Sequence, residues 1–212
     1  ARAQAILVPG SDLSPEAKGV RRLKSVSLAL IAAGDPARGA ALAKDQFDAA
    51  DNMTDRQGAL TVLGSLDGPE RETAFTQFYQ RYESDSLVLD KWFALQAAAQ
   101  RTDTIDVVEA LARHAQFSAR NPNRWRALVS NFAANQWAFH HGSGRGYRFV
   151  TDMILAVDRI NPQVAARQVP SLGRWKRFEA RRAELMRKEL ERIAATPGLS
   201  KDVFEQATKS LA

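Results

Sequence analysis

The chain has 212 residues, 45% hydrophobic and 25% charged, a globular composition with ample material for a buried core. It has no cysteine, which excludes disulfides and thiolate metal sites, and no apolar run approaching the ~20 residues of a membrane span. The net charge of +6 and pI near 9.9 raise nucleic acid as a possible partner.

Residues 1–13 read as an irregular lead-in, and because Ala1 is not methionine the chain is expected to be a piece of a longer polypeptide. Ser14-Pro15 starts a helix with Val20, Leu23, Ser27 and Leu30/Ile31 as its stripe, closed by Gly34. Asp35-Pro36 opens a second helix, with Ala40, Ala43 and Phe47 on one side. Leu60, Leu63 and Leu66 mark a third; Phe75, Phe78, Tyr79 and Tyr82 a fourth. Val88, Trp92, Leu95 and Ala99 form the next stripe, then Ile105, Val108, Leu111 and Ala115 behind a Thr102-Asp103 cap.

Two similar helix starts follow, Asn121-Pro122 and Asn161-Pro162, each with Asn placed to accept a first-turn amide and Pro where a missing N–H costs nothing. Each carries an arginine further along, Arg126 and Arg167. Trp125, Leu128, Val129 and Phe132 share one face; Phe149, Val150, Met153, Ile154, Val157 and Ile160 share another. Ala183, Met186, Leu190 and Ile193 stripe a long helix, and Ser200 caps a last one. No segment alternates like a strand. Helix starts recur at spacings of 33, 36 and 40 residues, which is the period of helical hairpins. The fold class is therefore all-α: a helical-hairpin, armadillo- or HEAT-like superhelix of about 10–12 helices over 14–212, with no sheet. A bundle is the alternative packing.

The excess charge is concentrated. From Ala165 to Ala195 there are nine Lys/Arg against four Glu. They interleave as i,i+4 pairs, Glu184–Lys188 and Arg187–Glu191, the pattern of a solvated helix face rather than a nucleic-acid site. His114, His140 and His141 form no HExxH, and adjacent histidines diverge on a helix, so no metal ligand set is expected. Gly142-x-Gly144-x-Gly146 could cradle a phosphate but follows no strand and lacks GxGxxG or GK[ST]; it reads as a helix–helix loop. Asp45 and Asp48 read as exposed helix acids, and no catalytic residue is assigned.

One ordered series remains: Asn121-Pro122-Asn123-Arg124-x-Arg126-Ala127-Leu128, Phe139-His140, Gly144-x-Gly146-Tyr147-Arg148-Phe149, and Asp158-Arg159-Ile160-Asn161-Pro162-Gln163-Val164-Ala165-Ala166-Arg167. With Asn52-Met53-Thr54-Asp55-Arg56 and Asp90-Lys91-Trp92-Phe93, it resembles the C-terminal helical domain of bacterial aminopeptidase N, of the zinc gluzincin family. The likeness runs from about Ser14 to the end. Asn135-Gln136-Trp137 and the Gly142–Gly146 spacing depart from the family pattern.

The resemblance implies a non-catalytic domain that caps the active-site chamber of a zinc-dependent aminopeptidase and controls peptide access. Zinc, the HExxH glutamate and the GAMEN strip belong to an upstream catalytic domain of the same polypeptide, and this chain alone is expected to hold no cofactor and cleave nothing. Arg126 and Arg167 match chamber-facing arginines, suited to a peptide carboxylate or, alternatively, to structural acids. Peptides are the expected substrates, with no membrane and no tight nucleic-acid partner, and the location cytoplasmic. The competing reading is an independent helical-repeat scaffold that binds a protein or nucleic acid through its basic C-terminal helices.

Overall fold

Capping side chains and prolines set where the helices begin. In the computed structural model, which describes residues 8–212, Ser14 Oγ accepts the Ala17 amide at 3.2 Å and opens α1 (Pro15–Gly34). Asp35 accepts from Arg38 at 3.0 Å and opens α2 (Pro36–Ala49); Asn52 accepts from Asp55 at 2.9 Å and opens α3 (Met53–Gly64). Gly68, at φ 129°, supplies the turn before α4 (Pro69–Tyr82), and α5 (Ser86–Ala97) follows. No strand occurs among the described residues.

The chain groups into two units, the first ending at Leu95 and the second running from Gln96 to Ala212. In the first, α1, α2 and α3 pack on one another, and α4 packs on α2 and α3. Leu28, Phe47, Leu60, Leu63, Phe75 and Phe78 make the core, each fully buried apolar side chain contributing about 1.5–3 kcal/mol. Gly39 lets α2 approach α1 closely, since a Cβ there would lie 2.4 Å from Ala32 Cα. Arg21 is buried too, donating through Nη2 to the carbonyls of Pro9 and Asp12, both at 2.7 Å, and so tying the lead-in to α1.

Several stripes differ from the sequence reading: Ala115 and Ile160, each last in its stripe, are exposed, and α1 and α5 differ more. The buried face of α1 is Ala17, Arg21, Leu28 and Ala32, while Leu23, Val26 and Leu30 are exposed. Periodicity finds the apolar side of a helix but not what covers it. In α5 the deeply buried positions are Leu89, Phe93 and Ala97, with Val88, Trp92 and Leu95 half-buried beside them; the helix is apolar on both sides, so its pattern is ambiguous. The Asp103 cap also differs: its carboxylate pairs with Arg101 at 2.8 Å and makes no cap bond to α6 (Thr104–Leu111).

In the second unit, α7 (Pro122–Trp125) runs through a π-helical turn (Arg126–Ser130) into α8 (Asn131–Ala134), and α9 (Gln136–Phe139) follows. Then come α10 (Arg145–Asp158), α11 (Pro162–Gln168), 3₁₀ turns at Val169–Ser171 and Trp175–Arg177, α12 (Ala180–Ala194) and α13 (Lys201–Leu211). Taking α7 to α8 as one helix gives twelve among the described residues. The core here is aromatic: Phe132 meets Phe149 edge-on at 5.6 Å, and Phe139 meets Tyr147 at 5.1 Å.

Candidate functional site

Both Asn-Pro starts form as the sequence predicts. Asn121 Oδ1 accepts the amides of Asn123 and Arg124 at 3.0 and 3.2 Å, and Asn161 Oδ1 accepts that of Val164 at 3.2 Å. The π turn lies just after the first. Such a turn inserts a residue into the helical ladder and often marks a functional position. Asn131 Nδ2 donates to the carbonyls of Arg126 and Ala127, both at 3.2 Å, which are the groups the wider turn disturbs.

Arg126 and Arg167, 41 residues apart in sequence, line one cavity of about 280 Å³. Its wall includes Trp125, Ser130, Gln168 and Asn161, and no acid. Arg126 donates from Nε to the Pro122 carbonyl at 3.1 Å and from Nη2 to Asn123 Oδ1 at 2.6 Å, which holds its guanidinium against its own helix start. Among the described residues Arg167 has no ion pair or side-chain hydrogen bond, and neither arginine meets a carboxylate. Ser130 Oγ donates to Gln168 Oε1 at 2.9 Å, joining the π turn to α11 behind the two arginines. Trp125 is buried with its indole N–H lacking a partner. Two unneutralised guanidinium groups on one cavity favour an anionic occupant that accepts hydrogen bonds.

The other sequence candidates lie elsewhere. His140 is half-buried, hydrogen-bonded through Nδ1 to the Tyr147 hydroxyl at 2.9 Å and stacked on Phe178 with ring centroids 4.2 Å apart. Burial holds its imidazole below the ordinary value, and the neighbouring Arg182 guanidinium adds to this. Burial also pushes the Tyr147 hydroxyl up to about 12. His141 bonds Ser143 Oγ at 2.9 Å, and His114 Nδ1 accepts the Gln116 amide at 3.1 Å. Asp45 and Asp48 are exposed on α2, Asp48 paired with Lys44.

The glycine loop spends its amides internally: Ser143 N donates to His141 Nδ1, Gly144 N to the His141 carbonyl and Arg145 N to Ser143 Oγ. It is a helix–helix connector. Gly146 is required there, because a Cβ would fall 2.6 Å from the Phe139 carbonyl oxygen. Asn135, first residue of the Asn135-Gln136-Trp137 stretch that departs from the family pattern, caps α9 and donates to the Ala97 and Ala99 carbonyls at 3.1 and 2.7 Å. No three or more His, Cys, Asp or Glu gather as a metal site among the described residues, so the donors present do not fit zinc. No described helix is long and apolar enough to cross a membrane.

The sequence shows neither the π turn nor the Ser130–Gln168 bridge, and it places Trp125 on an apolar face without showing that it lines a cavity. The nearest signal was the second arginine-bearing Asn-Pro start, which marks the two walls without showing that they meet.

An all-helical chain of capped hairpins around an acid-free, arginine-lined cavity belongs with helical-repeat domains. Residues 3–212 match the family model described as "Domain of unknown function (DUF3458_C) ARM repeats", and the chain belongs to that family. It is similar to Aminopeptidase N of Caulobacter vibrioides, 44% identical over 196 residues, covering 92% of this chain and 23% of the relative. It is 43% identical over 171 residues to Aminopeptidase N of Haemophilus influenzae, covering 80% of this chain and 20% of that protein. For Aminopeptidase N of Escherichia coli (strain K12) the identity is 37% over 193 residues, 91% and 22% of the two chains. A solved structure of Legionella pneumophila aminopeptidase A in complex with aspartic acid superposes with a TM-score of 0.90 at 31% identity, covering 99% of this chain and 25% of that one. The resemblance drawn from the sequence is thus borne out. The chain spans about a fifth to a quarter of the length of these relatives.

Proposed function

We propose that this chain is the C-terminal helical domain of a zinc-dependent aminopeptidase acting on peptides in the cytoplasm. Its part is to cap the active-site chamber and bind the far end of the peptide. An upstream catalytic domain of the same polypeptide is its partner and carries the zinc, whose role is to polarise the scissile carbonyl and activate water. The single observation supporting this reading is the convergence of Arg126 and Arg167, from separate helix starts, on one cavity without an acid. A peptide gripped elsewhere by its N-terminus presents a C-terminal carboxylate, and guanidinium forks match that group bidentately.

The test is made on the full-length polypeptide. Losing a hydrogen bond to a charged group costs about 1.5–3 kcal/mol, roughly ten- to a hundredfold. Arg126→Ala or Arg167→Ala should lower kcat/KM on tri- and tetrapeptides by that factor and leave an aminoacyl anilide, too short to reach the cavity, nearly unchanged. Lysine at either position should restore part of the loss, since charge returns without the fork. Equal losses on both substrates would make the arginines structural, and no loss on either would remove them from the site.

A further inference from the structure

A second, larger cavity of about 520 Å³ shares two wall residues with the first, Ser130 and Gln168. Those two are hydrogen-bonded to each other in the wall that the cavities share. On the far side lie Arg174 and Arg177, both exposed and without an ion pair or side-chain hydrogen bond among the described residues. No acid lines this cavity. Nearby Glu179 is spent on the Arg181 and Arg182 amides that open α12 and on the Arg182 guanidinium at 2.9 Å. Ser171 Oγ, from a residue in the wall, is buried with no hydrogen-bond partner. The stacked pair His140 and Phe178 supplies an aromatic side.

Several basic residues elsewhere in this unit are neutralised instead. Arg145, on another hollow, pairs with both Asp106 at 2.7 Å and Glu109 at 3.0 Å. Along α12, Arg187 and Arg192 are each held between two carboxylates. Leaving two guanidinium groups unneutralised around a concave, partly aromatic site suits an anion with some apolar stem.

We propose that this larger cavity is a second carboxylate subsite, taking the acidic side chain of a peptide whose C-terminal carboxylate lies between Arg126 and Arg167 across the Ser130–Gln168 pair. The two cavities together then select peptides with Asp or Glu at the last or next-to-last position. This rests on the reading of the first cavity given above, and the experiment separates the two.

The experiment is calorimetric titration of the 212-residue chain with Ala-Ala-Ala-Glu and Ala-Ala-Glu-Ala, their Gln counterparts, and the C-terminal amides of all four. Replacing Glu by Gln at one of the two positions should weaken binding roughly ten- to a hundredfold, and amidating the terminus should weaken it separately. Arg174→Gln and Arg177→Gln should erase the Glu-over-Gln preference while keeping sensitivity to amidation; Arg126→Ala should do the reverse. The Arg174 and Arg177 side chains make no ion pair or hydrogen bond among the described residues, so an unchanged thermal melt is the control. Sensitivity to amidation without any Glu preference would overturn the second subsite alone. A Glu preference that survives both Gln variants would overturn it too. Insensitivity to amidation in every peptide would overturn the first cavity's reading instead. Competition by free succinate as strong as by the acidic peptides would overturn the peptidic assignment in favour of small dicarboxylates.

Discussion

Arg56 shows how a single side chain can hold several elements at once. It is buried, donates from Nη1 to the Tyr82 hydroxyl at 2.7 Å and from Nη2 to the Ala50 carbonyl, and lies over the Phe47 ring at 5.9 Å. The end of α2, the start of α3 and the end of α4 therefore meet at one guanidinium. Arg56→Ala should cost about 1.5–3 kcal/mol for the charged hydrogen bonds, plus lost packing, read as a drop in the urea midpoint. Lysine should recover little, having no fork to reach both acceptors. His140 gives a pH-dependent counterpart. Burial lowers its folded-state value, so the neutral ring is favoured in the fold. As pH falls below the ordinary His value of about 6.5, the unfolded chain takes up that proton first and stability declines. His140→Asn should flatten the stability profile below pH ~6.5 relative to the parent chain. Identical profiles would mean that the proton is taken up equally by both states.

At the scale of elements, close backbone approach is as demanding as side-chain packing. Gly146→Ala would drive a methyl group into the Phe139 carbonyl at the α9–α10 corner. Forcing the backbone to shift costs about 1–3 kcal/mol, so the variant should melt lower with little change in helical circular dichroism. Helix starts such as Ser14-Pro15, Asn121-Pro122 and Asn161-Pro162 were legible because a cap and a proline act locally and need no tertiary partner. The i,i+4 pairs on α12 were legible for the same reason and are present, Arg187–Glu191 at 2.6 Å and Lys188–Glu184 at 3.5 Å. What escaped the sequence was set by non-local contact. The spacing in α1 gives a stripe through Leu23 and Leu30, whereas the buried face carries Arg21 and Leu28, with α2 and α3 packed on the helix. Arg126 and Arg167 were named from their motifs, but their shared cavity, the Ser130–Gln168 bridge and the second cavity depend on how α7, the π turn and α11 come together. No spacing rule encodes that.

For the molecule as a whole, the excess positive charge separates into a neutralised part and a part left open. On α12 acids answer Arg182, Arg187 and Arg192, whereas Arg126, Arg167, Arg174 and Arg177 meet no carboxylate among the described residues. The two cavities thus gather open positive charge at concave sites suited to discrete anions. The apolar surface is uneven in a similar way. Leu23, Val26 and Leu30 lie on one side of α1, 52%, 48% and 69% exposed, although each could be polar without disturbing the core. A contiguous exposed stripe of this kind marks a contact surface. If the proposed catalytic domain covers it, each residue buried there contributes about 1.5–3 kcal/mol to the intact polypeptide and almost nothing to this chain alone. Leu23→Ser, Val26→Ser and Leu30→Ser combined should therefore leave the melt of the 212-residue chain almost unchanged, each surface substitution being worth within ~0.5 kcal/mol. In the full-length polypeptide the same changes should lower the melting temperature and expose a protease-sensitive junction ahead of α1. A loss of equal size in both would show that the stripe serves this chain's own folding, and no loss in either would leave α1 without a partner on that side.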